Sequence, residues 1–255
     1  ILLGRALAAI GKIVPLRIVS AESGLKDNAI PASARAVLAV EPAKLPAVQT
    51  RVSGLEAAFR AEHAVSDPGL TLTVRSGNPA PSALTEAAGK TVVQFLQLVP
   101  NGIVSMSMDI PGLVQTSSNL GIFHVADGLL VARASVRSSV ASEKEMLLER
   151  FATLCAMLGA SMEITGNYPA WEYKRDSALR DTMVRVFTEQ YGHAPKIEAI
   201  HAGLECGLFS GKLPGLDCVS FGPDLKEIHT FRESMSVASV QRVYAMVVET
   251  LKRMH

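Results

Sequence analysis

The apolar pattern of the first half of the chain predicts an antiparallel sheet covered by helices. Helical spacing of apolar residues is found in the segments 1–11, 45–63 and 84–98. Runs rich in Val, Ile and Leu, or alternating runs, predict strands at 13–20, 36–40, 70–74, 103–108, 118–125 and 129–136. Asp127-Gly128 between the last two is a strong hairpin signal. We therefore predict an α+β domain over residues 1–141.

The pattern changes near Ser142. Helices are predicted at 143–158, 177–191, around Cys206 and at 237–254, with strands at 161–165, 196–201 and 218–221. This alternation is typical of a mixed or parallel sheet. We predict that residues 142–255 form the C-terminal half of an α/β domain. Because the chain opens on a helical pattern with neither Met nor an N-cap residue, we expect it to be a piece of a longer protein.

Composition narrows the class of protein. The chain has 255 residues, of which 48% are hydrophobic and 19% charged, so it can bury a sizeable core. A net charge of +1 gives no reason to expect nucleic acid or an anionic membrane as a partner. Three cysteines without metal-finger spacing favour a reducing, cytoplasmic compartment. No apolar run is long enough to span a membrane.

Reactive side chains concentrate in two segments near the end, His201-Ala-Gly-Leu-Glu-Cys-Gly207 and His229-Thr-Phe-Arg-Glu233. His229 follows a predicted buried strand and could bind a metal, but local spacing alone favours a surface or capping histidine. Glu205 could bind an ammonium group or be a solvated acid at a helix start. Cys206 could be a nucleophile activated by His201, although an inert thiol is the commoner case.

Three polar residues of the first half are further candidates. Asn28 precedes Ala-Ile-Pro, where an asparagine also serves as a turn residue. Arg137 ends a predicted strand and could hold a carboxylate bidentately or form a surface ion pair. Asn119, within Thr-Ser-Ser-Asn-Leu-Gly, is likewise either a ligand-binding residue or a structural one. The loop Tyr168-Pro-Ala-Trp171 is expected to be packed rather than to bind a ligand.

Seven short stretches occur together in one order along the chain. They are Asn28-Ala-Ile-Pro31, Leu98-Val-Pro-Asn-Gly102, Thr116-Ser-Ser-Asn-Leu-Gly121, Val136-Arg-Ser-Ser139, Tyr168-Pro-Ala-Trp171, His201-Ala-Gly-Leu-Glu-Cys-Gly207, and His229-Thr with Glu233. As a set they resemble the bacterial aminoacyl-histidine dipeptidases, the carnosinase-like branch of the co-catalytic zinc aminopeptidase and carboxypeptidase family.

The resemblance implies a fold and an activity. In that family an α/β zinc-bearing domain is interrupted by an α+β lid that makes the homodimer contact, so residues 1–141 correspond to the lid and 142–255 to the end of the catalytic domain. The family hydrolyses dipeptides such as β-alanyl-histidine with water activated by two zinc ions. His229 then corresponds to a zinc ligand. Asn28 and Arg137 correspond to lid residues that contact the substrate, and Asn119 and Glu205 are the remaining substrate-binding candidates.

The chain also departs from the family pattern. The upstream His-x-Asp motif, the bridging Asp and the general-base Glu are not among these residues, and one histidine cannot hold two zinc ions. We therefore expect a dipeptidase as the parent and an inactive chain in isolation. Two other hypotheses stay open: a non-catalytic dimerisation or binding module, and a cysteine-dependent hydrolase built on Cys206.

Overall fold

In a computed structural model, which describes residues 1–80, 82–198, 204–228 and 230–254, the chain divides by contact into two compact units. The first unit contains Ile1–Ser105, Thr116–Arg137 and Glu143–Glu163. The second contains Met106–Gln115, Ser138–Ser142 and Ile164–His255. The chain is a mixed α/β protein with an antiparallel sheet, which confirms the predicted class.

The elements of the first part of the chain follow the predicted order with one exception. The helices are α1 (Leu2–Ile10), α2 (Leu45–Glu62), α3 (Glu86–Leu98) and α4 (Ala141–Met157). The strands are β1 (Arg17–Ser23), β2 (Ala34–Ala39), β3 (Gly102–Met106), β4 (Val114–Ala126) and β5 (Leu129–Ser138).

These five strands form one sheet in the order β2-β1-β4-β3, with β5 also paired to β4. Strand β1 runs antiparallel to both neighbours, with Arg17 opposite Ala39 and Ser23 opposite Phe123. The turn between β4 and β5 has positive φ at Asp127 (52°) and Gly128 (79°), as a type I′ hairpin requires. The predicted hairpin is therefore present.

The core of the first unit draws on helices and strands alike. Leu7 of α1, Ile18 of β1, Phe123 of β4 and Leu147 of α4 are each at most 2% exposed and belong to one apolar cluster. Since α4 contributes Leu147, Phe151 and Leu154, this helix packs within the first unit. The division into a lid over 1–141 and a catalytic part over 142–255 concerns functional domains, and it stays a prediction.

The segment 70–74, predicted to be a strand, alternates in burial but pairs with no strand of the described residues. Leu72 and Val74 pack against the core as half-buried residues. The Leu72 N–H donates instead to Glu56 Oε1 of α2 at 3.2 Å. The alternating pattern thus indicated correctly which residues are buried. The backbone, however, donates to a side chain instead of pairing with a neighbouring strand. Helix α3 is capped by Thr85, whose Oγ1 accepts from the Ala88 N–H at 3.2 Å.

The second unit is built from helices and one small hairpin. Its helices are α5 (Ala178–Tyr191), α6 (Glu205–Lys212) and α7 (Val237–Lys252), and its two short strands β6 (Leu225–Lys226) and β7 (Ser234–Met235) pair antiparallel. Ser177 caps the start of α5 and Gly192 ends it with φ +75°. Helices α5 and α7 pack around Met183, Val186 and Met246.

The strands predicted at 161–165, 196–201 and 218–221, as parts of a mixed or parallel sheet, require correction. Within the described residues, 161–165, 196–198 and 218–221 form no strand, and 199–201 lie outside those residues. A strand needs a hydrogen-bonding neighbour, and the described residues of these segments pair neither with the five-stranded sheet nor with the β6–β7 hairpin. None of the described helices has the length and apolar character to cross a membrane.

Candidate functional site

The loop between β1 and β2 presents Asn28 at an exposed turn. Its position is set by Asn119 on β4, whose Nδ2 donates to the Asp27 carbonyl at 3.0 Å and to the Ala29 carbonyl at 2.9 Å. One side-chain amide therefore holds the backbone on both sides of Asn28. The structure brings these two predicted residues together. Because both N–H groups of Asn119 are engaged by the loop, Asn119 positions Asn28 and does not itself reach outward to donate.

Glycines let this loop lie directly on the backbone of β4. A Cβ at Gly121 would stand 2.2 Å from the Asp27 oxygen and 2.5 Å from the Lys26 oxygen. A Cβ at Gly24, whose φ is +74°, would stand 1.8 Å from the Gly121 oxygen. Neither position has room for a side chain. The backbone contact and the Asn119 hydrogen bonds thus fix the same loop.

A third stretch joins at the same place. The N–H of Leu120, between Asn119 and Gly121, donates to Asn101 Oδ1 at 2.7 Å. Asn101 belongs to the turn before β3. Three of the seven stretches singled out in the sequence, around Asn28, Asn101 and Asn119, therefore meet on β4. Sequence spacing gave no sign of this meeting, since Asn28 and Asn119 are far apart in the chain.

Arg137 lies near the end of β5 and is half-buried. Strand β5 pairs with β4, which carries Asn119, so Arg137 and the Asn28 loop are attached to the same pair of strands. A guanidinium offers several N–H donors in a planar fork, which suits a carboxylate.

Glu143 was not a candidate from the sequence, yet it is a polar anchor of the first unit. The Ser105 hydroxyl donates to Glu143 Oε2 at 2.5 Å, and the hydroxyl of Thr116, which is 0% exposed, donates to the same oxygen. These bonds join β3, β4 and α4. The only signal in the sequence was an acid in the first turn of a predicted helix, which most often serves the helix dipole.

In the second unit, Glu205 is exposed in the first turn of α6. A carboxylate there is stabilised by the positive end of the helix and remains open to solvent. The neighbouring glycines have a role that we did not predict. Gly207 lies within α6, where a Cβ would be 2.9 Å from the Pro169 oxygen, and a Cβ at Gly211 would be 2.8 Å from Pro169 Cγ. Gly207 therefore allows close packing of α6 on the 168–171 loop.

The thiol of Cys206 does not have the properties of an activated nucleophile. Burial, with the adjacent Cys218 thiol and the Glu205 charge as further causes, raises the pKa of Cys206. A nucleophilic cysteine needs the opposite shift, since the thiolate is the reactive form. His201, the supposed activating base, lies outside the described residues. The raised pKa of Cys206 therefore argues against the cysteine-hydrolase hypothesis.

The metal site cannot be assembled from the described residues. Among them, no group of three or more His, Cys, Asp or Glu side chains could hold a metal ion. His229, the predicted zinc ligand, lies outside the described residues. The part of the chain that the structure describes therefore does not by itself fit a two-zinc centre.

Known proteins resemble the chain over its whole length. The cytosol non-specific dipeptidase of Escherichia coli strain K12 is 30% identical over 251 residues, which cover 98% of this chain and 52% of the relative. The crystal structure of aminoacylhistidine dipeptidase from Vibrio alginolyticus superposes with a TM-score of 0.94 at 28% identity, covering 100% of this chain and 52% of that one. The resemblance to dipeptidases is confirmed.

Two further findings define how far this similarity extends. The aminopeptidase PepT of Bacillus cereus ATCC 10987 shares the fold over 66% of this chain, with a TM-score of 0.52 and 18% identity. No protein-family model matches the chain. The chain spans about half the length of the two dipeptidases.

Proposed function

We propose that this chain is part of a zinc-dependent dipeptidase that hydrolyses Xaa-His dipeptides such as β-alanyl-histidine in the cytoplasm. The observation that carries the proposal is the TM-score of 0.94 over 100% of the chain with the aminoacylhistidine dipeptidase of Vibrio alginolyticus. The name of the Escherichia coli relative indicates a broader range of dipeptides, so histidine preference is the finer part of the proposal.

The first unit supplies contacts to the substrate. Asn28 is exposed on a loop that Asn119 and Gly121 hold in place, so its amide can donate to a substrate carbonyl with little loss of side-chain and loop freedom on binding. Arg137 holds the substrate carboxylate through its planar guanidinium. In the second unit, Glu205 is a separate candidate for binding an ammonium group, because it is an exposed carboxylate. Asn119 acts as a positioning residue.

The metal chemistry requires more residues than the described ones. In this proposal His229 is one zinc ligand, and the other ligands and the general base come from outside the described residues. The zinc ions, when bound, supply a water molecule of lowered pKa and a polarised carbonyl. The chain alone is then inactive, and residues 1–141 form the lid through which the parent makes a homodimer.

The test compares the isolated chain with the full-length protein that contains it. The full-length protein should contain about two zinc ions per subunit, as a two-metal site requires, release histidine from β-alanyl-histidine, and lose this activity when a chelator removes the metal. The isolated chain should have neither zinc nor activity. Turnover by the full-length protein that resists chelation would overturn the zinc mechanism.

Variants of the full-length protein test the substrate contacts. Asn28→Ala should lower kcat/KM by about a hundredfold or more, the usual cost of removing a donor to a developing oxyanion. Asn78→Ala is the matched control, because Asn78 is an exposed asparagine of the same unit. Equal activity of the two variants would remove Asn28 from the site.

A non-catalytic dimerisation or binding module is the second candidate. The observation that favours it is that the described residues contain no cluster of metal ligands. It predicts a full-length protein that dimerises but hydrolyses no dipeptide in the presence of added zinc. Hydrolysis under these conditions excludes it.

A further inference from the structure

Two cysteines lie on or beside helix α6. Cys206 lies in the first turn of α6, and Cys218 lies six residues beyond its end. Burial is the main cause of the raised pKa of Cys206, and the nearby Cys218 thiol is the next. Ser210, one helical turn after Cys206 and on the same face, has its Oγ 4.0 Å from Cys218 Sγ. Cys218 therefore lies against the helix face that carries Cys206 and Ser210.

The residues around both thiols are held in place. Helix α6 packs against Pro169 at Gly207, and the contact leaves no space for a side chain at position 207. Asp217, immediately before Cys218, accepts from the Ser177 hydroxyl at 2.7 Å. Val219, immediately after Cys218, packs against the apolar cluster of the second unit. The two segments that carry the thiols are thus each anchored within the second unit.

We propose that Cys206 and Cys218 form a reversible intramolecular disulfide by exchange with a small disulfide of the glutathione class. One cysteine thiolate attacks the small disulfide, forms a mixed disulfide and releases one small thiol. The second cysteine then attacks the protein sulfur of the mixed disulfide and releases the other small thiol. The protein loses two protons and two electrons, which the small disulfide takes up as two thiols. Both cysteines are half-buried, so a small reagent can reach them.

The third cysteine provides the internal control. Cys155 lies in α4 of the first unit and is also half-buried, so its exposure is of the same class. Under the same conditions Cys155 should form only a mixed disulfide with glutathione, because the proposed second step requires another protein thiol close to the first. A Cys155→Ser variant should form the Cys206–Cys218 bond as the unaltered chain does.

The experiment treats the folded chain with oxidised glutathione, blocks remaining thiols by alkylation and digests the product with trypsin. Cleavage after Lys212 separates the two cysteines, so the disulfide must join the peptides 197–212 and 213–226. We expect this joined species, lighter than the sum of the reduced peptides by two hydrogen atoms and separated by dithiothreitol. The ratio of joined peptide to doubly glutathionylated product should fall at least about tenfold in denaturing urea, where the two thiols become distant partners on a flexible loop.

Two results would overturn the inference. One is a product in which both cysteines of the folded chain carry glutathione and no joined peptide forms. The other is an equal ratio of joined to doubly glutathionylated product in urea, since the fold would then play no part. Both tests use the unaltered chain.

Discussion

Replacing Gly121 by alanine should displace the Asn28 loop. The added Cβ would lie 2.2 Å from the Asp27 oxygen, and a close carbon–oxygen contact is about 3.3 Å, so the loop must move by about 1 Å. That movement strains the hydrogen bonds from Asn119 to Asp27 and Ala29. Overpacking of this kind costs about 1–3 kcal/mol, and we expect a loss of stability in that range.

Two measurements on the isolated chain check the displacement. Urea unfolding followed by circular dichroism gives the loss of stability. Limited trypsin digestion reports on the loop itself, because Lys26 is exposed within it and cleavage after Lys26 should become faster. Gly54→Ala is the control, since a Cβ at Gly54 of α2 has no atom within 4 Å, and alanine there should be neutral or stabilising by up to about 1 kcal/mol.

The reasoning is refuted if Gly121→Ala unfolds at the same urea concentration as the unaltered chain and is cleaved after Lys26 at the same rate. The loop would then not rest on β4. Lower stability together with unchanged cleavage would place the strain elsewhere along the strand and would remove the proposed support of Asn28.

Three further changes test other contacts. Gly207→Ala places a Cβ 3.5 Å from that of Trp171 and closer still to the adjacent loop backbone, so it should cost about 1–3 kcal/mol and alter the fluorescence of this single tryptophan. Burial raises the pKa of Asp217, but hydrogen bonds from a neighbouring hydroxyl and a backbone N–H outweigh this effect and hold the pKa below its ordinary value. The ionised Asp217 therefore stabilises the fold above about pH 3.9, and this stabilisation is lost as the pH falls through the folded pKa. Asp217→Asn should therefore narrow the difference between urea midpoints at about pH 7 and about pH 3. Glu143→Ala removes the acceptor of a hydrogen bond from the buried Thr116 and should cost about 1–3 kcal/mol in thermal unfolding, with Glu143→Gln less affected.

Helices and the hairpin could be predicted because their signals are local. The apolar spacing of α1, α2 and α3 depends on neighbours three and four residues away. Ser177 and Gly192 mark the two ends of α5 through their own side chain and backbone conformation. Asp127-Gly128 specifies the turn between β4 and β5 without reference to the rest of the fold.

Strands could not be predicted with the same security, since a strand is defined by its neighbour. The segment 70–74 has the alternating burial of a strand, but the Leu72 N–H found a carboxylate of α2 instead of another strand. At 218–221, Val219 is indeed packed against the core of the second unit. The apolar pattern indicated burial there correctly, but no strand among the described residues pairs with this segment.

The candidate site illustrates the same limit at the level of side chains. Asn28 and Asn119 were each singled out as candidates. Asn28 lies in a turn, which was one interpretation of its sequence context, and the structure adds that the Asn119 side chain fixes that turn. If an exposed amide is to bind substrate, its own backbone must be held by something else. If Asn119 acts only by holding the Asn28 loop, Asn119→Ala in the full-length protein should lower the proposed dipeptidase activity through Asn28. Adding Asn119→Ala to Asn28→Ala should then cost little more. Additive losses in the double variant would instead mean that Asn119 contacts the substrate on its own.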